Sequence, residues 1–229
     1  MLEPEGRVIM ISGANRGIGH AIAQCLLKKG YSLSLGARHP ESIGLDAMSH
    51  RYDATDPASS EAWVEATVAR FGRIDGLVNN AGIALDTSIE DADESAYDRM
   101  WEVNVKGPLR MIRLALPHLK ASGSGRIVNV ASLSGKRVAN AGAGYAMSKF
   151  AVLALGHATR RACWDDGVRV TALCPGMVAT DMTLKWTDFP REEMIDPADL
   201  AELAATALAL PNNASVAEIL VNCRFASMF

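Results

Sequence analysis

The sequence is poor in the features that mark secreted, membrane-spanning or metal-clustered proteins. Its 229 residues include four cysteines, Cys25, Cys163, Cys174 and Cys223. They lie far apart and form no C-x-x-C pair, so neither a zinc site nor a disulfide framework is expected. They read as small buried apolar residues. No apolar run approaches the roughly eighteen residues needed to cross a bilayer. The longest, Leu203 to Leu210, is Ala-rich and reads as a buried helix. Met1-Leu2-Glu3-Pro4-Glu5-Gly6 lacks the basic region and apolar stretch of a signal peptide, which makes the cytoplasm the expected location. An excess of one charge is also missing, since 23 Lys plus Arg face 26 Asp plus Glu for a net charge of −3. That balance gives no electrostatic reason to expect nucleic acid or an anionic membrane surface as partner, and it favours a small molecule. With 49% hydrophobic residues a disordered chain is excluded, and one domain spanning 1–229 is expected.

Short apolar runs alternate with longer helical patterns. Strands are expected at 7–12, 31–35, 48–52, 74–78, 126–130, 168–173 and 218–221, and helices at about 18–27, 57–71, 94–121, 143–164 and 197–210. Gly, Pro, Asp or Ser bounds most of them. Strands apolar on both faces that alternate with helices imply a parallel sheet covered on both sides, the doubly wound α/β class with about seven strands. Ser122-Gly123-Ser124-Gly125 is the most linker-like stretch, but it joins a helix to a strand and reads as a helix end and a tight turn.

Ser12-Gly13-Ala14-Asn15-Arg16-Gly17-Ile18-Gly19 sits where the first strand turns into the first helix. Glycines there let the backbone approach a pyrophosphate, while the free amides at the positive end of the helix attract its charge. In this setting nucleotide binding outweighs a mere turn. The spacing, Gly-x3-Gly-x-Gly, is not the usual G-x-G-x-x-G fingerprint.

That spacing resembles the classical short-chain dehydrogenases/reductases, and further matching stretches follow in order. Asn79-Asn80-Ala81-Gly82 follows the fourth strand, Asn104 lies in Asn-Val-Lys-Gly, Ser132 follows the fifth strand, and Tyr145 and Lys149 form Tyr-x-x-x-Lys. Pro175-Gly176 follows the sixth strand, with Thr180 four residues past the glycine. The resemblance runs from about Arg7 to Thr180. It implies a single NAD(P)-binding Rossmann domain with a substrate lid at about 177–196, working as a homodimer or homotetramer. It also implies hydride transfer that interconverts a carbonyl compound and its alcohol. The cofactor-binding residues it implies are Gly13, Asn15, Arg16, Gly17, Ile18, Gly19, Asp53, Asn79, Ala81, Gly82, Tyr145, Lys149, Pro175, Gly176 and Thr180, with Asp53 at the adenine.

The acid-base chemistry can be argued from the side chains themselves. A phenol with an ordinary pKa near 10 needs a nearby positive charge to work at neutral pH. Lys149 is four residues from Tyr145 and shares its helix face, so its ammonium is expected beside the phenol. Ser132 would orient the substrate carbonyl by hydrogen bonding to its oxygen. The resemblance adds that Lys149 holds the nicotinamide ribose and that Asn104 supports a water linking Lys149 to solvent. Each residue alone has a plain reading: a capping Ser, a locally bonded Asn, a Tyr and Lys on a helix surface. Together Asn104, Ser132, Tyr145 and Lys149 favour catalysis over the alternative, a non-catalytic dinucleotide-binding sensor or scaffold.

At the end of the second strand an acid would select NAD, whereas an arginine accommodates the 2′-phosphate of NADP. Leu35-Gly36-Ala37-Arg38-His39 has no acid, and Arg38 with Arg16 is expected to clamp that phosphate. NADP is therefore the expected cofactor, with NAD the alternative. Residues 36–47 leave little room for a crossover helix, so a turn is expected there. The lid, 182–195 with Trp186 and Phe189, is short beside the resembled family, and the chain closes without the common Asp-Gly-Gly. Leu133, Arg137 to Ala141, Met177, Trp186 and Phe189 are expected to shape the substrate pocket, although aromatics more often serve only as core.

Overall fold

The computed structural model describes residues 1–139 and 141–225. Seven strands, β1 (Val8–Ser12), β2 (Ser32–Ala37), β3 (Met48–Arg51), β4 (Gly76–Asn79), β5 (Arg126–Val130), β6 (Arg169–Pro175) and β7 (Glu218–Val221), form one sheet in the order β3-β2-β1-β4-β5-β6-β7. Every pairing is parallel. The helices are α1 (Gly17–Lys28), α2 (Pro57–Phe71), α3 (Ser95–Trp101), α4 (Gly107–Ala121), α5 (Ala143–Cys163) and α6 (Pro197–Ala209). β1, β4, β5 and β6 are buried at every position, as their unbroken apolar runs require. Along β1, Ile9 and Ile11 pack with Ile22 and Leu26 of α1 and Leu200 and Leu208 of α6. Met10 faces the other side, with Trp63 of α2 and Met111 and Leu119 of α4.

The strand order reverses between β1 and β4, and at such a switch point the connections leave in opposite directions, opening a crevice at the carboxyl ends of the strands. The opposite edge of the sheet is closed by buried arginines at or just before strand starts. Arg126 donates from Nε and Nη2 to Leu210 O at 3.0 and 2.7 Å, just past α6. Arg169 Nη1 donates to Trp164 O at 2.8 Å, at the end of α5, and Arg7 Nη2 to Ser124 O at 2.8 Å, beyond α4. Each guanidinium satisfies carbonyls where helices end and sits where their dipoles favour a cation.

Several expectations are corrected in detail. β2 runs on to Ala37, so Arg38 follows it directly, whereas the crossover holds the short turn expected of it, a 3-10 turn at Pro40–Ser42. The helix expected over 94–121 is three pieces, because a π segment at Glu102–Lys106 separates α3 from α4 and carries Asn104. Cys163 and Cys174 are buried, but Cys25 and Cys223 are only half-buried. Cys25 lies on the polar margin of α1, where its Sγ donates to Glu202 Oε1 at 3.3 Å. Among the described residues no helix is long and apolar enough to cross a membrane, and no cluster of three His, Cys, Asp or Glu side chains could hold a metal ion.

Candidate active site

The Gly-rich turn is shaped by backbone that only glycine adopts easily. Gly13 and Gly17 have φ of 67° and 56°. A Cβ on Gly13 would lie 2.9 Å from Asn80 Nδ2 and 3.0 Å from Ala81 Cα. Ser12 Oγ accepts from the amides of Asn80 and Ala81, both at 3.0 Å, and Asn80 Nδ2 donates to Ser12 O and Gly13 O at 3.0 and 3.1 Å. The loops after β1 and β4 are thereby stapled together. Arg16 is the extended N-cap of α1; its side chain makes no capping bond, and the first turn carries no acid. The amides at this helix start remain open to an anion, so the residues present fit the pyrophosphate of a dinucleotide.

A cleft of about 490 Å³ opens over this turn and is lined by Gly13, Asn15, Arg16, Gly17, Ile18, Arg38, Asp53, Ala81, Gly82, Tyr145, Lys149, Pro175, Gly176 and Thr180. Two expected contacts are not brought there. Asn79 is buried in β4 and donates through Nδ2 to Asn129 Oδ1 at 2.9 Å. Gly19 is buried beneath the turn, where a Cβ would run into Asn80 Nδ2. Asn80 and Arg99 line the cleft instead, and sequence reasoning passed over both. Asn80 was legible as the second Asn of its motif, whereas Arg99 reaches the cleft from α3 only through the tertiary fold. Burial raises the Asp53 pKa, but hydrogen bonds from Thr55 N and Oγ1, with the charges of Arg99 and Arg38, hold it below the ordinary carboxylate value.

A second cavity of about 410 Å³ adjoins the first, and Ser132, Tyr145 and Gly176 line both. Of the expected pocket residues, Leu133, Arg137, Ala139, Met177 and Trp186 line it. Val138, Ala141 and Phe189 do not, and Asn140 lies outside the described residues. The Phe189 ring instead lies under the guanidinium of Arg224, whose carbon is 5.4 Å from the ring centroid. Arg224, absent from the sequence-based expectations, lines the cavity itself.

At the junction, Ser132 Oγ accepts from Ser134 N at 3.0 Å, capping the 3-10 turn Leu133–Gly135, and also hydrogen-bonds the Tyr145 side chain. The plain reading of Ser132 as a cap therefore coexists with its place beside the phenol. Lys149 Nζ lies 5.5 Å from the Tyr145 ring centroid and donates to Val130 O at 2.9 Å. Burial pushes the Tyr145 phenol up to about 12, against the pull of the Ser132 hydrogen bond, and pushes the Lys149 ammonium down to about 8. The expectation that Lys149 lowers the phenol pKa is thus not met in the cofactor-free chain. Val130 O anchors the ammonium over the ring, and desolvation governs both groups. Asn104 accepts from Ile83 N and donates to Ile83 O, both at 2.9 Å, and donates to Ser148 Oγ at 3.0 Å. A Cβ on Gly82 would be 3.3 Å from Asn104 Oδ1 and 3.8 Å from Lys149 Nζ, so both groups crowd that glycine.

The desolvated ammonium has a measurable signature. Between pH 8 and 10.5 the unfolded chain holds the Lys149 proton while the folded chain releases it, so stability rises with pH across that window. Wild type is expected to gain about 2–3 kcal/mol on Lys149→Met between pH 7 and pH 10, at about 1.4 kcal/mol per pKa unit. Denaturant melts of the cofactor-free proteins at the two pH values check this. Parallel curves would mean that the ammonium is not desolvated.

The sequence pattern described as short chain dehydrogenase matches residues 7–190. The chain belongs to this family. It is similar to an agropine synthesis reductase of Rhizobium rhizogenes, 46% identical over 227 residues, a match covering 94% of this chain and 52% of that protein. The chain thus spans about half the length of that relative. Among solved structures it is similar to 3-ketoacyl-(acyl-carrier-protein) reductase from Brucella melitensis complexed with NADH, with a TM-score of 0.88 and 31% identity over 96% of this chain and 98% of that one. It is also similar to an alcohol dehydrogenase from the archaeon Thermococcus sibiricus complexed with 5-hydroxy-NADP, with a TM-score of 0.84 and 31% identity over 93% and 95% of the two chains.

Proposed function

We propose that residues 1–229 act as one nucleotide-binding domain with a lid at about 177–196, an NADP(H)-dependent oxidoreductase that interconverts a carbonyl compound and its alcohol. The observation that carries this reading is the position of Tyr145 and Ser132 on the shared wall of two cavities, one lying over the Gly-rich turn and the other under the lid. When bound, the dinucleotide supplies or accepts a hydride at C4 of its nicotinamide. Ser132 Oγ donates to the substrate carbonyl oxygen, and Tyr145 transfers its proton to that same oxygen. A phenol whose pKa burial lifts to about 12 holds its proton at neutral pH, which suits donation during carbonyl reduction. Lys149, held by Val130 O, would bind the ribose, while Asn104 fixes the loop at Ile83. Such a site needs a proton donor, whereas a binding module does not, and this favours the enzyme over the sensor.

The 2′-phosphate preference rests on Arg38, placed directly after β2, with Arg16 and Arg99 on the same cleft. Charge-assisted hydrogen bonds of about 1.5–3 kcal/mol correspond to about 10- to 100-fold in kcat/KM for NADPH over NADH. Arg38→Asp is expected to reverse the preference, because its carboxylate repels the phosphate and accepts from the ribose. Steady-state kinetics with both cofactors checks this, and a wild-type preference for NADH would remove Arg38 from the site.

A further inference from the structure

The described lining of the cavity beside Tyr145 carries more positive than negative side chains. Among its described lining residues the ionised side chains are the half-buried Arg137 and the exposed Arg224 and Asp86, two guanidiniums and one carboxylate. The arginines converge from distant parts of the chain. Arg137 follows the 3-10 turn that Ser132 caps, and Arg224 lies just past β7. The Arg224 guanidinium carbon lies over the Phe189 ring, 5.4 Å from its centroid, within cation–π range.

We propose that the substrate carries an anionic group, a carboxylate or a phosphate, at the end remote from its reacting carbonyl, and that Arg137 and Arg224 hold that group. The proposal rests on the oxidoreductase reading of the same cavity and names the substrate class. Guanidinium is the side chain whose fork of donors matches an oxyanion in a two-point contact. Leu133, Met177 and Trp186 line the same cavity and reduce the water that would screen the attraction. About 410 Å³ lies within the range of small-molecule sites and accommodates a compact hydroxy or keto acid together with the reacting carbon. The arginines set which carbonyl compound is bound, and Tyr145 and Ser132 act on its oxygen.

The test uses matched carbonyl compounds of about three to eight carbons, each offered as the carboxylate, the phosphate monoester and the neutral primary amide, with NADPH and the full chain. An anionic member is expected to exceed its amide by about 10-fold or more in kcat/KM, mostly through KM. Its KM should rise with added salt while that of the amide stays flat. Arg137→Met and Arg224→Met should each erase most of that advantage, lowering kcat/KM for the anionic members far more than for the amide. The salt response of wild type gives the same answer should either variant fail to fold. Preference for the carboxylate or for the phosphate identifies the anion. An amide used as well as both anions would overturn the proposal and leave the oxidoreductase reading standing. NADPH bound tightly with no member turned over would overturn the reading and the proposal with it.

Discussion

Replacing Tyr145 by phenylalanine is expected to lower kcat by about 10²–10⁴ and leave NADPH affinity within a few fold, the range typical of a positioned acid-base group. The substitution removes one hydroxyl and keeps the ring against which Lys149 rests at 5.5 Å, so the packing of α5 is preserved. The hydrogen bond to Ser132 is lost, but Ser132 remains held by Ser134 N. The loss should therefore fall on proton transfer. Raising pH should not rescue the variant, because no group remains to titrate at that position. Steady-state turnover with fluorescence titration of NADPH on one preparation measures both quantities. Retention of near wild-type turnover would exclude Tyr145 as the proton donor, and loss of NADPH binding would make its role structural.

Gly19→Ala is expected to weaken NADPH binding by about 10-fold or more and to destabilise the fold by about 1–3 kcal/mol, as overpacking of a filled interior does. The added methyl would run into Asn80 Nδ2 and lie 2.5 Å from Gly13 O. Asn80 is the side chain that ties the β4 loop to Ser12 O and Gly13 O, so it cannot withdraw without releasing the Gly-rich turn. The glycine therefore acts beneath the pyrophosphate site and not on it. Thermal melts with and without NADPH check the result. An alanine variant with unchanged melting temperature and NADPH affinity would show that the Asn80 staple does not hold the turn.

The parts of this structure written in local pattern could be read from the sequence. β5, β7 and α2 begin and end where the apolar runs and their flanking Gly, Pro and Asp residues place them. Tyr145 and Lys149 meet because four residues make one helical turn. What stayed hidden depends on contacts between distant segments. The π segment at Glu102–Lys106 has no signature in hydrophobic spacing, yet it carries Asn104, which bonds both backbone groups of Ile83. The choice between Asn79 and Asn80 turns on which side of β4 meets Asn129 and which meets the Ser12 loop. Arg99 and Arg224 look like ordinary surface charges in sequence and reach the cavities only once α3 and the segment after β7 are placed. The raised pKa of the Tyr145 phenol was not foreseen for the same reason, since proximity along a helix gives no measure of burial.

The central claim is that a hydride crosses to a substrate carbonyl at the wall shared by the two cavities. Incubating the wild-type chain with carbonyl compounds and NADPH deuterated on one or the other face of C4, followed by mass spectrometry of the alcohol, measures that crossing. The expected result is deuterium on the carbinol carbon from one face only, with about a hundredth as much or less in the Tyr145→Phe variant over the same time. Tight NADPH binding with no deuterium delivered to any carbonyl compound would contradict it and leave a dinucleotide-binding module.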